Sequence, residues 1–565
     1  MTEEQSQTGG QQPPPGDRGA WRAWWSARGQ PWRQEPEVAA ERAQFLAQRR
    51  GVAPNVGQGN YPFAGQPLTR ADVEWLLATH DENRGPVDWS DEAQRMREGL
   101  DLRGADLGRV DLRGLPLARL RGGTAGGTDE QQEQAAIRLD GANLAGAQLQ
   151  GAELRSAHLE NADLRKAALE GANLAGAALV GADLREAQAL ASDLRKARLQ
   201  DADLRGASLA GARMQEAQCE RARFGSARLD GANLDKARFE GALMQEASLA
   251  GASCRGTYFT KTYLRDAHLD AAYLLRAHLE DSQLEGAFLH GAEMRGAYLQ
   301  GANLYGASLE GRRLAAEEAE RLRQARQWRP IAATLQPADL RGAFMDHGTN
   351  LRHARLGTSD LGYVLVADVS WGGANLAVVD WSGENAVTLG DEREARRRVN
   401  SDGSRKDRAT RLKDYTAAVR ANRQLAVALR AQGLDEDATR FAYRAQVLQR
   451  RVALRRLRLG SYFFSLFLDG LAGYGYKPGR SVVVYLAVIV GWAAAYFFLG
   501  QTDSVTLSPL GALVFSVTSF HGRGFFPGGL ALDDPLTVLA AAEAILGLLI
   551  ELSFIATFTQ RFFGK

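Results

Sequence analysis

The chain has 565 residues, of which 45% are hydrophobic and 24% are charged. Its 69 basic and 67 acidic residues give a formal net charge of +2, which argues against a protein that binds nucleic acid over its whole surface. The two ends differ sharply in composition from the middle, so we expect several distinct domains.

The N-terminal part divides into a tail and a helical region. Residues 1–19 are rich in Gln, Pro and Gly and lack the apolar run of a signal peptide, so we expect them to be disordered. Residues 20–99 contain segments of helical pattern, and Thr69 is a candidate N-cap for the helix that includes Trp75. We expect this region to cap the domain that follows, and we assign it no chemistry.

The most regular feature is a five-residue repeat that runs without a register slip from Leu139 to Leu314. Its central slot holds Leu or another apolar residue, and the slot two residues earlier holds Ala, or in a few steps Ser or Thr. A period of five fits neither the 3.6 of a helix nor the 2.0 of a strand. One large and one small residue per segment can stack inward while the other slots face water, which predicts a solenoid.

Segments such as 162–166, Ala-Asp-Leu-Arg-Lys, resemble the pentapeptide-repeat family, whose pattern is A(D/N)LXX. The resemblance implies a right-handed quadrilateral β-helix with four repeats per coil. The fold class is therefore expected to be a mainly β solenoid, joined to an α-helical connector and a two-helix transmembrane domain.

The solenoid is expected to span residues 100–390, with weaker repeats before and after the regular run. A first coil precedes a Gly-rich insertion near 121–136. A second insertion, near 315–337, begins with helical composition, after which the repeats resume and fade. Terminal coils that differ from the central ones are typical of repeat proteins.

The only two cysteines, Cys219 and Cys254, occupy central slots of the repeat. They lie seven repeats apart, which is not a multiple of four, so the implied coil places them on different faces. We expect two buried free thiols that act as small hydrophobic residues.

A basic connector is expected over residues 391–460, with two helices broken at Gly433. The second helix ends in a cluster of arginines. Two interpretations stay open for the cluster: it binds anionic lipid headgroups, or it only marks the cytoplasmic side of a membrane segment. The cluster consists of Arg450, Arg451, Arg455, Arg456 and Arg458.

Residues 461–565 have the composition of a membrane domain. The spans 481–499 and 535–558 are long and apolar enough to cross a bilayer, whereas the apolar part of 507–529, the segment between them, is too short. A span, a short re-entrant helix, a Gly-rich loop and a second span form the layout of a two-helix pore unit. Basic residues precede the first span and follow the second, and such residues favour the cytoplasmic side. We therefore expect a two-span cell-membrane protein with both termini and the solenoid in the cytoplasm.

The re-entrant segment resembles the pore segment of tetrameric cation channels with two transmembrane helices. Residues 512–518 have the small, aromatic and hydroxyl side chains of such a pore helix, and Gly522-Arg523-Gly524 falls where that family has Gly-Tyr-Gly. Phe520 and His521 replace the Thr-Val that would precede the glycines, and Arg523 replaces Tyr, so potassium selectivity is not implied. The resemblance implies a homotetramer.

Several residues are candidates for pore lining or selectivity. A carboxylate in a spanning helix must face protein or water, so Glu543 and Glu551 either line a cavity or form hydrogen bonds within a helix bundle. Gly547 between them would permit close packing or a hinge, and Arg523 and His521 are either selectivity elements or parts of a solvated loop. The full set is Thr518, Ser519, His521, Gly522, Arg523, Gly524, Glu543, Gly547 and Glu551.

The leading hypothesis is an oligomeric ion-conducting pore whose cytoplasmic solenoid binds a protein partner or senses a state. The alternative is a membrane-tethered scaffold that does not conduct, and a DNA-mimic protein directed at gyrase is a third possibility. We expect membrane lipids and an inorganic ion as partners, and neither a nucleic acid nor a cofactor nor a metal. An enzyme is not expected, because the chain offers no phosphate loop, nucleophile elbow or pair of histidines at metal-ligand spacing.

Overall fold

The computed structural model describes residues 12–124, 126–317, 319–320, 334–358, 360–381, 388–400, 404–499, 501–502, 505–522 and 535–562. The chain forms two compact units, Met1–Gly390 and Asp391–Lys565. The first unit contains the repeats and the second contains the apolar helices.

The N-terminal region is helical, as predicted. Thr69 caps its third helix with a capping box, in which Thr69 and Asp72 each bond to the other's backbone N–H, so the predicted N-cap is confirmed. The predicted disorder of residues 1–19 is wrong at its end, because the first helix begins at Arg18 with Asp17 as N-cap; residues 1–11 lie outside the described residues. The helices are α1 (Arg18–Ser26), α2 (Ala40–Arg50), α3 (Arg70–Ala78) and α4 (His80–Asn83).

The repeats form a β-solenoid with four repeats per coil. Parallel bridges join residues 20 apart in an unbroken series, from Arg138–His158 to Phe288–Ser308. Each rung is a pair of backbone hydrogen bonds to the neighbouring coils, such as the Leu139 N–H to the carbonyl of His158 at 2.7 Å. Each of these bridges involves a single residue on either side. Among the described residues, strands of two residues occur only in three antiparallel pairs.

The interior of the solenoid follows the two apolar slots of the repeat. From Leu139 to Leu309, the central residues and the preceding small residues are at most 1% exposed. The hydroxyls that replace Ala are satisfied by backbone carbonyls, as in Thr257 Oγ1 to the carbonyl of Leu234 at 2.8 Å and Ser192 Oγ to that of Ala189 at 2.8 Å. This satisfies the requirement that buried polar groups be hydrogen-bonded.

Both cysteines are buried and free, as predicted. Burial in the apolar interior raises the pKa of the Cys219 and Cys254 thiols. Neither thiol therefore has the thiolate character that a reactive cysteine needs.

The corners of the coils explain the many glycines of the repeat. The residue before each small slot has a positive φ, for example +64° at Gly141 and +56° at Lys166. Only glycine adopts this left-handed conformation without steric cost, so it recurs there and longer side chains take the slot at some expense.

The ends of the solenoid match the predicted insertions. The bridge between Asp106 and Arg138 joins the first coil to the regular run across the first insertion, which contains α5 (Asp129–Ala135). Bridges from Glu293 to Asp339 and onward to Leu365 confirm the terminal coils. The helical part predicted for the second insertion lies largely outside the described residues.

The regular run ends earlier than its sequence pattern indicates. Leu314 keeps the register of the repeat but does not enter the interior, and packs beside Leu335 against the outer Ala250 and Ala271. The chain turns away because β1 (Arg312–Arg313) pairs with β2 (Thr334–Leu335). The other short pairs are β3 (Gly357–Thr358) with β4 (Gly362–Tyr363), and β5 (Gln501–Thr502) with β6 (Val505–Thr506).

The second unit is mainly helical. The predicted break at Gly433 is confirmed, since this residue has φ +76° between two connector helices whose shared core includes Tyr415, Val419 and Leu448. The helices from α6 on are α6 (Gly390–Arg396), α7 (Arg408–Ala431), α8 (Asp435–Arg455), α9 (Leu459–Ala472), α10 (Pro478–Leu499), α11 (Pro509–Phe520) and α12 (Pro535–Phe562).

Two helices of this unit are long and apolar enough to cross a membrane, over Gly479–Leu499 of α10 and Pro535–Leu552 of α12. Helix α11 is apolar but shorter. The three helices share two apolar clusters, one around Tyr496 and Phe515 and the other around Ile489 and Ile550.

Candidate functional site

Helix α11, the predicted re-entrant helix, packs between α10 and α12. It begins at Pro509, and the Ser508 side chain caps it by accepting a hydrogen bond from the Gly511 N–H at 3.0 Å. Its buried face is Ala512, Phe515, Ser516, Ser519 and Phe520. Its opposite face is apolar and exposed in the single chain, through Leu510, Leu513, Val514 and Val517.

A single carboxylate joins the three helices. Glu543 of α12 is fully buried and accepts a hydrogen bond from the Tyr496 hydroxyl of α10 at 2.7 Å. Its other oxygen accepts one from Ser516 of α11 at 2.5 Å, and the Ser516 hydroxyl also lies 3.0 Å from the carbonyl oxygen of Ile489. Glu543 thus forms hydrogen bonds within a helix bundle, which was one of its two predicted roles; pore lining by this residue stays a prediction.

Gly547 allows α12 to approach the end of α11 closely. A Cβ at this position would lie 2.0 Å from the carbonyl oxygen of Phe520, so any side chain would collide with backbone. Of the two predicted uses of this glycine, the structure shows close packing.

Replacing Gly547 by Val should therefore destabilise the second unit by about 2 kcal/mol, because overpacking displaces α11. The measurement is the thermal unfolding of the detergent-solubilised protein. Gly491→Val on α10 is the matched control, since no atom lies within 4 Å of a Cβ built there. Equal losses from both variants would contradict a specific contact at Gly547.

The C-terminal end of α11 carries a polar group of residues. His521 Nδ1 lies 2.8 Å from the carbonyl oxygen of Val517, which can only accept, so this nitrogen donates its N–H to that oxygen. Its Nε2 lies 3.3 Å from the Tyr485 hydroxyl and 3.4 Å from the Glu551 carboxylate. Both His521 and Glu551 are 37% exposed, so they remain open to solvent or to a neighbouring chain.

The remaining pore candidates have local roles or lie outside the described residues. The Thr518 hydroxyl bonds to the carbonyls of Val514 and Phe515, each at 3.0 Å, and Ser519 is buried. Gly522 is exposed with φ +65°. The candidates Arg523 and Gly524 are outside the described residues.

Of the five candidate arginines, two contact other side chains of the second unit and three are exposed. Arg450 pairs with Asp469 at 2.8 Å, and Arg455 lies over the ring of Tyr415, 4.6 Å from its centroid. Burial and the hydrogen bond to Asp469 raise the pKa of Tyr443, which donates to the same carboxylate. The other three, Arg451, Arg456 and Arg458, are exposed.

One face of the solenoid carries a stack of aromatic rings, which we call the aromatic ladder: Tyr258, His278, Tyr298 and Phe344. Successive ring centroids are 4.5, 4.8 and 5.1 Å apart and the rings are within 10° of parallel. The spacing follows the distance between neighbouring strands, about 4.8 Å. The two end rings are 38% and 40% exposed, so the ladder is an aromatic patch on the surface.

Two histidines of the solenoid, His268 and His290, lie near the same carboxylate, that of Asp270. His290 Nδ1 lies 2.7 Å from the Asp270 carboxylate and His268 Nδ1 lies 3.9 Å from it. In another part of the solenoid, His158 contacts Glu133 of α5 at 2.8 Å.

Near that second contact, Asp140, His158 and Glu160 place ligand atoms within 4.8 Å of one another, an arrangement able to hold a metal ion. The sequence analysis did not single out this group, because the coil brings together residues 18 and 20 apart; the expectation of no bound metal stays a prediction.

Comparison with known proteins identifies the repeats. The family described as "Pentapeptide repeats" matches in eight copies, over 137–176, 169–209, 192–231, 202–241, 237–274 and 272–311. No curated protein matches the chain.

Among solved structures, the chain is similar to HetL, a pentapeptide repeat protein involved in heterocyst differentiation regulation from the cyanobacterium Nostoc, with 24% identity, 49% of this chain and 91% of HetL covered, and a TM-score of 0.20. It is also similar to QnrB1, a plasmid-mediated fluoroquinolone resistance protein, with 17% identity, 40% and 91% covered, and a TM-score of 0.19. A third similar structure is a pentapeptide repeat protein of the Arabidopsis thaliana thylakoid lumen. It has 23% identity and a TM-score of 0.10, and the match covers 21% of this chain and 77% of that protein.

Proposed function

We propose that this pentapeptide-repeat protein is an oligomeric membrane pore whose solenoid binds a protein partner in the cytoplasm. The observation that supports a pore is helix α11, which lies between two helices of spanning length and is too short to span itself. Hydrocarbon tolerates the end of such a helix only where it is buried in protein or lines a water-filled cavity.

The exposed side of α11 supports assembly of several chains. Leu510 is 71% exposed and Val514 is 56% exposed in the single chain, on the side that faces neither α10 nor α12. Packing against neighbouring copies would cover this face and surround the C-terminal end of the helix. The resemblance to two-span cation channels favours four copies.

Glu551 is the described residue best placed to act on ions. It is partly exposed beside His521 at the end of α11, whereas Glu543 is fully buried among its hydrogen-bond partners. A carboxylate at the mouth of a narrow path attracts cations and repels anions. Arg523 and Gly524 remain pore candidates from the resemblance alone.

The test is ion flux through the full-length protein in liposomes under potassium, sodium and chloride gradients. We expect conductance with a cation preference that falls several-fold in Glu551→Gln, because that change removes one charge per subunit from the path. The control is Glu436→Gln, which removes the same charge from a fully solvated position at the start of α8, where the side chain is 94% exposed. A folded protein that is monomeric and silent in every gating condition would contradict the proposal.

A non-conducting, membrane-tethered scaffold is the second candidate, and the aromatic ladder favours it. Repeats of this kind generally serve structural or binding roles rather than catalysis, and exposed aromatic rings are enriched at protein interfaces. Exchanging residues 478–562 for an unrelated pair of spans would preserve function under this candidate and abolish it under the pore proposal.

A DNA mimic is less well supported, because the solenoid surface carries both signs of charge. Arg165, Arg185, Arg195 and Arg205 each pair at 2.6 Å with the Asp two residues before it. A surface that imitates DNA would instead be strongly acidic.

A further inference from the structure

A cavity of about 650 Å³ opens where the connector meets the apolar helices. It lies within the second unit, between the end of α8, helix α9 and the second span α12. One wall is basic and the other is apolar. The lining includes Arg456, Arg458, Ser461, Phe464, Leu468 and Leu552.

The basic wall carries positive charge that the described residues leave uncompensated. Arg450 also lines the cavity, but it is paired with Asp469. Arg456 and Arg458 are exposed, and neither has an acidic partner in the described parts of the second unit. Two guanidinium groups therefore remain available for an anion, and guanidinium matches the geometry of a phosphate.

The N-terminus of α9 adds to this charge. The helix has 14 residues, its N-cap residue is Arg458, and no side chain caps it. The first N–H groups of a helix lack intrahelical partners and carry the positive end of its dipole, which favours an anion. Ser461, in the first turn of α9, lines the cavity and supplies a hydroxyl donor.

The apolar wall points to a ligand with a hydrocarbon part. Phe464 and Leu552 in this wall are 64% and 56% exposed. On the same helix, Phe463 and Phe467 are 61% and 40% exposed, so α9 presents an apolar surface that the described residues leave uncovered. An amphipathic helix of this kind lies in the interface of a membrane, with its apolar side among the acyl chains.

We propose that this cavity binds an anionic phospholipid. The phosphate lies at the N-terminus of α9 between Arg456 and Arg458, and an acyl chain follows Phe464, Leu468 and Leu552. The lipid thereby contacts both the connector and the second span. This inference rests on the membrane location in the proposed function, but it does not require conduction.

The test is native mass spectrometry of the full-length protein in detergent, titrated with phosphatidylglycerol or phosphatidylcholine. We expect tight binding of phosphatidylglycerol only. The double variant Arg456→Gln/Arg458→Gln should weaken it about thirtyfold, the effect of losing two arginine contacts with an anionic headgroup. The control Lys413→Gln/Arg423→Gln removes the same net charge from exposed positions outside the cavity and should bind as the wild type does.

A second variant keeps the test independent of the arginines. Ser461→Glu places a carboxylate in the first turn of α9, where it suits the helix dipole but repels a phosphate, so it should abolish binding without loss of thermal stability. Unchanged binding in this variant, or equal losses in the charge-matched control, would overturn the proposed site.

Glycerol 3-phosphate separates a lipid from a soluble phosphate compound. We expect it not to compete with phosphatidylglycerol, and effective competition would overturn the assignment to a lipid. Because lipid binding and ion flux are measured separately, a silent protein that still binds phosphatidylglycerol would reject the pore and retain this site.

Discussion

Replacing Glu543 by Ala should lower the free energy of unfolding of the second unit by about 2–4 kcal/mol. The change leaves the Tyr496 and Ser516 hydroxyls buried without their shared acceptor, and it removes the group that joins α10, α11 and α12. We therefore expect α11 to detach locally before the two spans separate.

The measurement combines thermal unfolding in detergent with the labelling of a cysteine introduced at Ser519, which is buried on α11. In the Glu543→Ala background this cysteine should react faster with a thiol reagent than in the otherwise wild-type chain. Glu543→Gln, which can still accept one hydrogen bond, should lose less stability. Glu551→Ala is the control of equal chemistry at a partly exposed site, and an equal loss there would contradict the assigned role of Glu543.

Phe239→Ala should be the most damaging single truncation in the solenoid, lowering local stability by about 3–5 kcal/mol. Phe239 is fully buried, and its ring centroid lies 5.4 Å from those of both Phe224 and Phe259. Its removal leaves a cavity in a narrow core that has little freedom to collapse.

Hydrogen exchange of the full-length protein is the appropriate measurement, because each coil contacts only its neighbours and instability should stay local. Peptides covering residues 219–259 should lose protection, while those near residue 149 should not. Leu190→Ala is the matched control, since Leu190 occupies a corner slot and is 49% exposed. Uniform loss of protection along the solenoid would contradict a locally held core.

The sequence pattern predicts the solenoid well because each five-residue repeat forms one side of a coil. The slot of Leu139 fixes which residues point inward, and the break before Arg138 locates the first insertion. The pattern fails at Leu314, where the register continues but the pairing of Arg312 with Leu335 takes the chain away. A local pattern carries no information on such a pairing.

The contacts of the candidate sites were harder to predict, for different physical reasons. The aromatic ladder could have been found, because Tyr258, His278 and Tyr298 are 20 apart and four repeats form a coil. The partners of Glu543 could not, since they depend on how three helices rotate about their axes. The role of Arg450 in the arginine cluster could not be predicted either, because its ion pair is with Asp469 on another helix.

Because the bridges join residues 20 apart, the length of the solenoid can change without disruption only in steps of 20 residues. Adding or removing one full coil leaves every column of side chains in line, and alters the length by about 4.8 Å. A change of any other size must be looped out at a corner, as the insertion that contains α5 is. Duplication or loss of whole coils would therefore change the length of the solenoid in fixed steps without altering the packing of its core.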